Sequence, residues 1–405
     1  MGGLLRRYWQ PALLSSELDE FDGAPLRVRL LGEDLIAFRD TAGRIGLLDA
    51  FCPHRRAPLF YGRNEECGLR CVYHGWKFDV DGNCVDLPNE PAHSPMREKV
   101  GIKHYPTLEK AGVIWTYMGP PAHQPPAPDY EWMRAPVTHR FVSKYHQESN
   151  YLQALEGGLD TAHSTYLHNN VLGNDRTPRN SDGAPEIEIV AAEYGYSYVS
   201  TRKLNGGMRY IRAYQYILPF QQMRGDITGD DGRRNEVPII VGHFWMPMDD
   251  HHTCIWNWIY GYDEFAPITR EVAAADEKRA GRGPDDFIPG TLKPKRNLSN
   301  DHMIDREMQR TTSFTGITGV GTQDSAVQEA MGPIVDRSQE YLGTSDRAII
   351  AMRKMLLAAT YAVERGEQAP GLDPKSHGNV RPFDAMVAAG VDWREAFADE
   401  LVAKW

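Results

Sequence analysis

Between Pro25 and Asp49 apolar and polar residues alternate in three short runs, LRVRL, DLIAFRD and RIGLLDA. Gly32-Glu33 and Thr41-Ala42-Gly43 interrupt them, and period-two alternation between turn residues predicts an antiparallel meander. The runs FCPHRRAPL and CVYHGWKFDVDGNCV follow, so their Cys and His residues fall on loops between short strands, with Asp81-Gly82 as a hairpin turn. The segment 119–130, GPPAHQPPAPDY, is too rich in proline for a helix or a central strand and predicts a stiff extended linker. Strand patterning resumes in HRFVSKYHQE, at 186–200, 208–217, 237–246 and 253–260, which predicts one antiparallel sheet. At 266–296 the pattern fades into a charged surface excursion. The last third predicts helices at 324–331 and 345–365, the second capped by Thr344-Ser345-Asp346. The fold class is α+β: a small all-β domain over 1–130, then an antiparallel-sheet domain with C-terminal helices over 131–405.

Composition adds exclusions. The 405 residues are 41% hydrophobic and 25% charged, which is ordinary globular usage and is long enough for two cores without disulfides. A formal charge of −10 argues against nucleic acid and anionic membrane as partners. No stretch has the length of a membrane span. The start, MGGLLRRYWQ, lacks a signal-peptide core, and Arg6 stands where a myristoylation signal needs Ser or Thr. Five cysteines, two of them beside histidines, fit an intracellular metalloprotein, so the cytoplasm is the expected address.

The stretch Asn150–His168, NYLQALEGGLDTAHSTYLH, carries Glu156, Asp160, His163 and His168 along a predicted helix. Asp160 and His163, three apart, share a helical face. His163 and His168, five apart, lie about 140° around an ideal helix, so one ion reaches both only if the helix is distorted or ends between them. Gly157-Gly158 inside a helix costs about 1 kcal/mol per glycine, which implies close packing or a bend. Two histidines and a carboxylate can hold iron and leave coordination positions open. The bland reading, polar residues on a wet helix face, suits a lone histidine better than this combination.

Upstream, Cys52-x-His54 and Cys71-x-x-His74 are separated by sixteen residues. Tetrahedral zinc usually draws cysteine and histidine pairs from separate loops. Here each loop supplies one of each, as when one iron of a [2Fe–2S] cluster takes both thiolates and the other both imidazoles. Structural zinc is the alternative. Cys67 and Cys84 fall outside the pattern and read as small buried side chains. Gly316, Gly319 and Gly321 have the wrong spacing for a dinucleotide loop, and no plant-type ferredoxin cysteine run is present.

CPH with HRR, CVYHGW, the DxxHxxxxH run and GVGTQDSAVQEAMGPIVDRSQEYLGTSDRAI together resemble the oxygenase (α) component of Rieske non-haem iron ring-hydroxylating oxygenases of the phthalate dioxygenase type. The resemblance covers nearly the whole chain. It implies an N-terminal Rieske domain and a helix-grip-like catalytic domain. It implies that Cys52 and Cys71 bind one cluster iron, that His54 and His74 bind the other, and that His163, His168 and Asp324 bind a mononuclear Fe(II). Spacing alone leaves Asp301 and Asp305 as rivals to Asp324. Asp160 is implied to bridge a cluster histidine of one subunit and an iron histidine of the next, in a homotrimeric ring or stacked trimers. Asn150 and Glu156 are supporting candidates behind the ligands. Electrons are implied to come from a separate NAD(P)H-dependent reductase, and the outcome to be dihydroxylation, or else monooxygenation including O-demethylation. Aromatic acids are the usual substrates of such proteins. In RYIRAYQYI the alternation puts Arg212 among Tyr210, Tyr214 and Tyr216, which suits carboxylate capture, with Arg209 as second choice. A pure Rieske electron carrier and a zinc hydrolase are the rivals from other classes.

Overall fold

The computed structural model describes residues 2–91, 93–170, 172 and 177–405. It contains two compact units, Gly2–Ala127 and Pro128–Trp405.

The first unit is built of short strands: β1 (Trp9–Leu14), β2 (Leu26–Leu30), β3 (Glu33–Arg39), β4 (Ile45–Asp49), β5 (Arg63–Glu65), β6 (Gly68–Arg70), β7 (Lys77–Phe78), β8 (Cys84–Asp86), β9 (Thr107–Lys110) and β10 (Val113–Tyr117). They form three sheets in the orders β1-β10-β9, β2-β3-β4 and β5-β6-β7-β8. The meander at 25–49 is β2-β3-β4, with Leu26 opposite Ala37 and Ile36 opposite Leu48. Its inward residues join Leu59, Leu69, Trp76 and Phe78 in a core that includes Cys52 and Cys71. Cys84 is buried. Cys67 is not: it sits half-exposed at φ 58° after β5, which corrects the expectation of burial.

The second unit is organised by an eight-stranded antiparallel sheet of β11 (Arg140–Gln147), β12 (Glu186–Ala192), β13 (Gly195–Lys203), β14 (Met208–Ile217), β15 (Gln221–Thr228), β16 (Arg234–Pro247), β17 (Thr253–Gly261) and β18 (Phe383–Ala388). The order is β11-β17-β16-β15-β14-β13-β12, and β18 pairs with the first half of β14 where β15 does not reach. The run at 186–200 is therefore two strands, turned at Glu193-Tyr194. Strand β15, QQMRGDIT, escapes a hydrophobic pattern search because its buried residues include Gln221 and Gln222. Strand β18 interrupts the helical last third, and its Asp384 accepts backbone N–H groups from Ile227 and Thr228.

Helices lie at Tyr151–Leu159, Arg270–Ala280, Val320–Ala330 and Arg347–Glu364. The second falls inside the expected surface excursion. It was hidden because it packs through small residues, Ala273 and Ala280, rather than a large apolar stripe. At the start of the last helix Asp346 does not bond the first turn; its carboxylate accepts the Gly343 N–H instead.

The helix from Tyr151 ends at Leu159, and a separate 3-10 turn covers His163–Thr165. The histidines therefore leave the helical repeat, which removes the 140° conflict. The double glycine is a packing device: a Cβ on Gly157 would lie 2.1 Å from Gln328 Nε2, and one on Gly158 2.2 Å from the Trp245 ring. No side chain but hydrogen lets this helix close onto both the 320–330 helix and the sheet.

Candidate metal centres and substrate cavity

In the first unit the two Cys-His loops are the same turn built twice. Arg56 N–H donates to Cys52 O at 2.9 Å and Gly75 N–H to Cys71 O at 2.9 Å. Cys52 N–H donates to Ala57 O at 2.9 Å and Cys71 N–H to Trp76 O at 2.8 Å. The fifth residue of each turn has positive φ, 59° at Arg56 and 78° at Gly75. The His54 and His74 rings meet edge to face with centroids 4.5 Å apart, and Trp76 stacks on His54 at 4.5 Å. Among the described residues His74 Nδ1 has no hydrogen-bond partner and is shielded from water, an arrangement that costs free energy unless something else ligates it. Burial, with Cys71 beside it, pushes the Cys52 thiol up to about 12, so a thiolate here requires a bound cation. Two buried thiols, carried on the same pair of turns as two imidazoles in ring contact, fit a Rieske cluster.

Gly75→Ala is expected to destroy the cluster. The added Cβ would lie 2.5 Å from Pro88 Cγ, and the left-handed conformation alone costs about 1–2 kcal/mol for a non-glycine residue. Arg56→Gly, at the equivalent point of the other turn, relieves that strain and should leave the visible absorption intact. Absorption spectra and iron content of the two variants check both halves, and a coloured Gly75→Ala protein would refute them.

In the second unit His163, His168 and Asp324 offer ligand atoms within 4.8 Å of one another. The two Nε2 atoms are 3.0 Å apart, and Asp324 Oδ1 lies 3.6 Å from His163 Nε2 and 3.4 Å from His168 Nε2. Three ligands at about 2.1 Å from an ion and at right angles would stand about 3 Å from each other, so the set needs little closing to grip one metal on a single face. Burial raises the Asp324 carboxyl's proton affinity, but His168, His163 and Arg224 together outweigh it and hold the group below the ordinary range. Asp160 Oδ1 accepts the Ala162 N–H at 2.7 Å, and Oδ2 lies 3.5 Å from His163 Nδ1. Against the opposing effect of burial, those bonds hold its carboxyl down as well.

These ligands open onto a cavity of about 350 Å³ over one face of the sheet. Alternate residues of four strands point into it: Arg212 and Tyr214, Arg224 and Asp226, His243 and Trp245, Ile255 and Asn257. The wall is unusually rich in arginine. Arg179 pairs with Asp226, Arg279 with Asp276 at 2.7 Å, and Arg282 with Glu277 at 2.8 Å. Arg212 and Arg224 differ: among the described residues neither has a carboxylate in ion-pair contact. Arg212 donates to Gly225 O through Nε and Nη2 and lies 5.2 Å from the Tyr214 ring centre. Arg224 Nη1 donates to His243 Nε2 at 2.7 Å, and His243 Nδ1 meets Asn257 Oδ1 at 2.8 Å. Burial, together with Arg224, keeps His243 far below the ordinary imidazole range, so it is neutral and can accept that bond. Burial and the nearby Arg212 bring Arg224 down to about 10. Arg224 lines the same cavity as His163, His168 and Asp324, and its charge lowers the proton affinity of both His163 and Asp324.

Three sequence candidates lie elsewhere. Arg209 donates to Ala388 O and Val391 O at the β14–β18 edge. Asn150 caps its helix by accepting the Leu152 N–H and donates to Asp250 O. Glu156 pairs with Arg353 at 2.7 Å and Arg337 at 3.2 Å, tying its helix to the 347–364 helix. None of the three lines the cavity. Arg224, His243, Asn257 and Gln323 were missed. Only Gln323 had a signal available, its place beside Asp324 in TQDSAVQEA.

Two family models match the chain: the Rieske [2Fe-2S] domain over residues 8–106 and the LigXa C-terminal domain like family over 116–404. The chain is 38% identical to the phthalate 4,5-dioxygenase oxygenase subunit of Pseudomonas putida, covering 98% of this chain and 90% of that one. It is 36% identical to the 3-chlorobenzoate-3,4-dioxygenase oxygenase subunit of Comamonas testosteroni, covering 99% and 95%. Among solved structures, NdmA of Pseudomonas putida CBB5 shares the fold with a TM-score of 0.64 at 20% identity, over 92% of this chain and 95% of that one. A cluster domain joined to a second, iron-binding domain defines an oxygen-using oxidoreductase. The chain belongs to the Rieske oxygenase family, as an oxygenase subunit. Its cofactors are a Rieske [2Fe–2S] cluster and a mononuclear non-haem iron. Among the described residues no helix is long and apolar enough to cross a membrane.

Proposed function

We propose that this oxygenase component hydroxylates an aromatic carboxylate of the phthalate or benzoate kind, using O₂ and electrons from an NAD(P)H-oxidising reductase. The observation that carries the substrate reading is the pair Arg212 and Arg224, two cavity arginines that have no carboxylate partner in contact among the described residues. An ionised group this enclosed favours a counter-ion, and a guanidinium takes a carboxylate in a planar two-point contact. The first two relatives, by name, act on phthalate and 3-chlorobenzoate, both aromatic acids.

Bound by His163, His168 and Asp324, an iron ion would supply O₂ activation, with electrons delivered from a cluster held by Cys52, His54, Cys71 and His74. The chain's own groups do the rest. Arg224, oriented by neutral His243, holds the substrate carboxylate beside the triad. Tyr214 and Trp245 offer ring surface to the arene. Asp160 orients His163 and serves as the bridge to a cluster histidine of a neighbouring subunit in a homotrimer. Cytoplasmic residence is part of the same reading, consistent with five free cysteines.

The test is turnover of a panel of aromatic acids and neutral arenes with a reductase, under labelled O₂. Two labelled atoms in a cis-diol from an aromatic acid are expected. A single labelled atom, or formaldehyde from an aryl ether, would replace the dioxygenase reading with monooxygenation or O-demethylation. Turnover confined to neutral arenes would overturn the carboxylate.

A further inference from the structure

Gln323 is wholly buried and uses both ends of its amide. Nε2 donates to Ile317 O at 2.9 Å and to Asn170 Oδ1 at 2.8 Å, with Thr315 Oγ1 at 3.2 Å. Oε1 lies 2.9 Å from His168 Nδ1. A backbone carbonyl only accepts, so Ile317 O fixes which end of the amide is nitrogen. The oxygen must then face His168, and it too only accepts. His168 therefore carries its proton on Nδ1, which leaves the Nε2 lone pair directed at His163 Nε2 and Asp324 Oδ1.

We infer that Gln323 is a positioning residue that locks His168 in the Nδ1–H tautomer and aims its Nε2 at the mononuclear metal. The inference rests on the reading of His168 as a ligand. The partners of the two histidines differ: His163 faces the carboxylate of Asp160, whereas His168 faces a neutral amide. A carboxylate partner raises ligand basicity more than an amide does, so the pair gives one metal two unequal imidazoles. Because Gln323 and Asp324 are consecutive on the 320–330 helix, one helix both ligates the ion and sets the tautomer of a second ligand.

The test uses full-length protein with its cluster intact and Co(II) in place of the mononuclear iron. Metal affinity is read by chelator competition. The proton spectrum in water reports each ligand histidine's Nδ1–H as a strongly shifted exchangeable resonance. Gln323→Leu is expected to weaken Co(II) binding roughly 10- to 100-fold and to abolish or shift one exchangeable resonance, with cluster absorption unchanged. Gln323→Glu still accepts from Nδ1–H and should restore binding while moving that same resonance. A purely structural role would make the glutamate variant as weak as the leucine one, since both lose the bonds to Ile317 and Asn170. Thr315→Val leaves Nε2 two acceptors and should change nothing. Unchanged affinity and resonances in Gln323→Leu overturn the inference. Should that variant not fold, an unmoved spectrum in Gln323→Glu overturns it. His168→Ala with undiminished binding instead refutes the ligand reading beneath it.

Discussion

Asp324→Ala should lose one iron of about three per chain and lower turnover at least ~10³-fold, while the cluster keeps its colour and its reduced EPR signal. The carboxylate is the only anionic member of the triad, and its oxygen stands 3.4–3.6 Å from both imidazole nitrogens. Without it two neutral nitrogens remain, too few to hold Fe(II) against water. The loss should be specific. Asp305, a rival on spacing, accepts the Glu307 and Met308 N–H groups as a helix cap. Its replacement should cost about 1 kcal/mol of stability and no iron. Metal analysis of both variants after identical anaerobic reconstitution checks this. Full iron in Asp324→Ala together with loss in Asp305→Ala would reverse the assignment.

Arg224→Met should raise KM for an aromatic carboxylate by roughly 30- to 1000-fold, the equivalent of about 2–4 kcal/mol for an enclosed charge pair deprived of one partner. The corresponding methyl ester or amide should be affected far less, because it never formed the ion pair. Methionine keeps the bulk of the side chain, so His243 and Asn257 stay in place and the cavity is not opened. Arg209→Ala serves as the control, since that guanidinium is engaged by Ala388 O and Val391 O at the sheet edge. Steady-state kinetics on the acid and its ester decide the matter. Equal losses on both substrates would mean that Arg224 supports the cavity wall rather than the carboxylate.

The contrast between Arg212 and Arg209 shows what alternation can and cannot tell. Period two correctly sorted RYIRAYQYI into two faces, because neighbouring side chains on a strand must point oppositely. It could not say which face looks onto the cavity. That was decided by the pairing of β14 with β15 and β18 and by the helices that close over one side. Arg224 was invisible for a related reason. Its strand buries glutamines and an ion pair, and a search for hydrophobic alternation passes over such a segment.

Sequence by itself determined the local chemistry: the Cys-x-His and Cys-x-x-His turns, the meander beside them, the Asp-x-x-His-x-x-x-x-His run and the double glycine. Each depends on residues within a few positions of one another, where backbone geometry restricts the possibilities. Tertiary structure decided the rest. It ended the helix at Leu159 so that two histidines five apart could converge. It brought Asp324 to them from more than 150 residues away, and Gln323 to His168 across 155 positions. It also paired three cavity arginines with acids and, among the described residues, left two without. Such long-range meetings depend on how packed layers meet, and no short window of sequence contains that information.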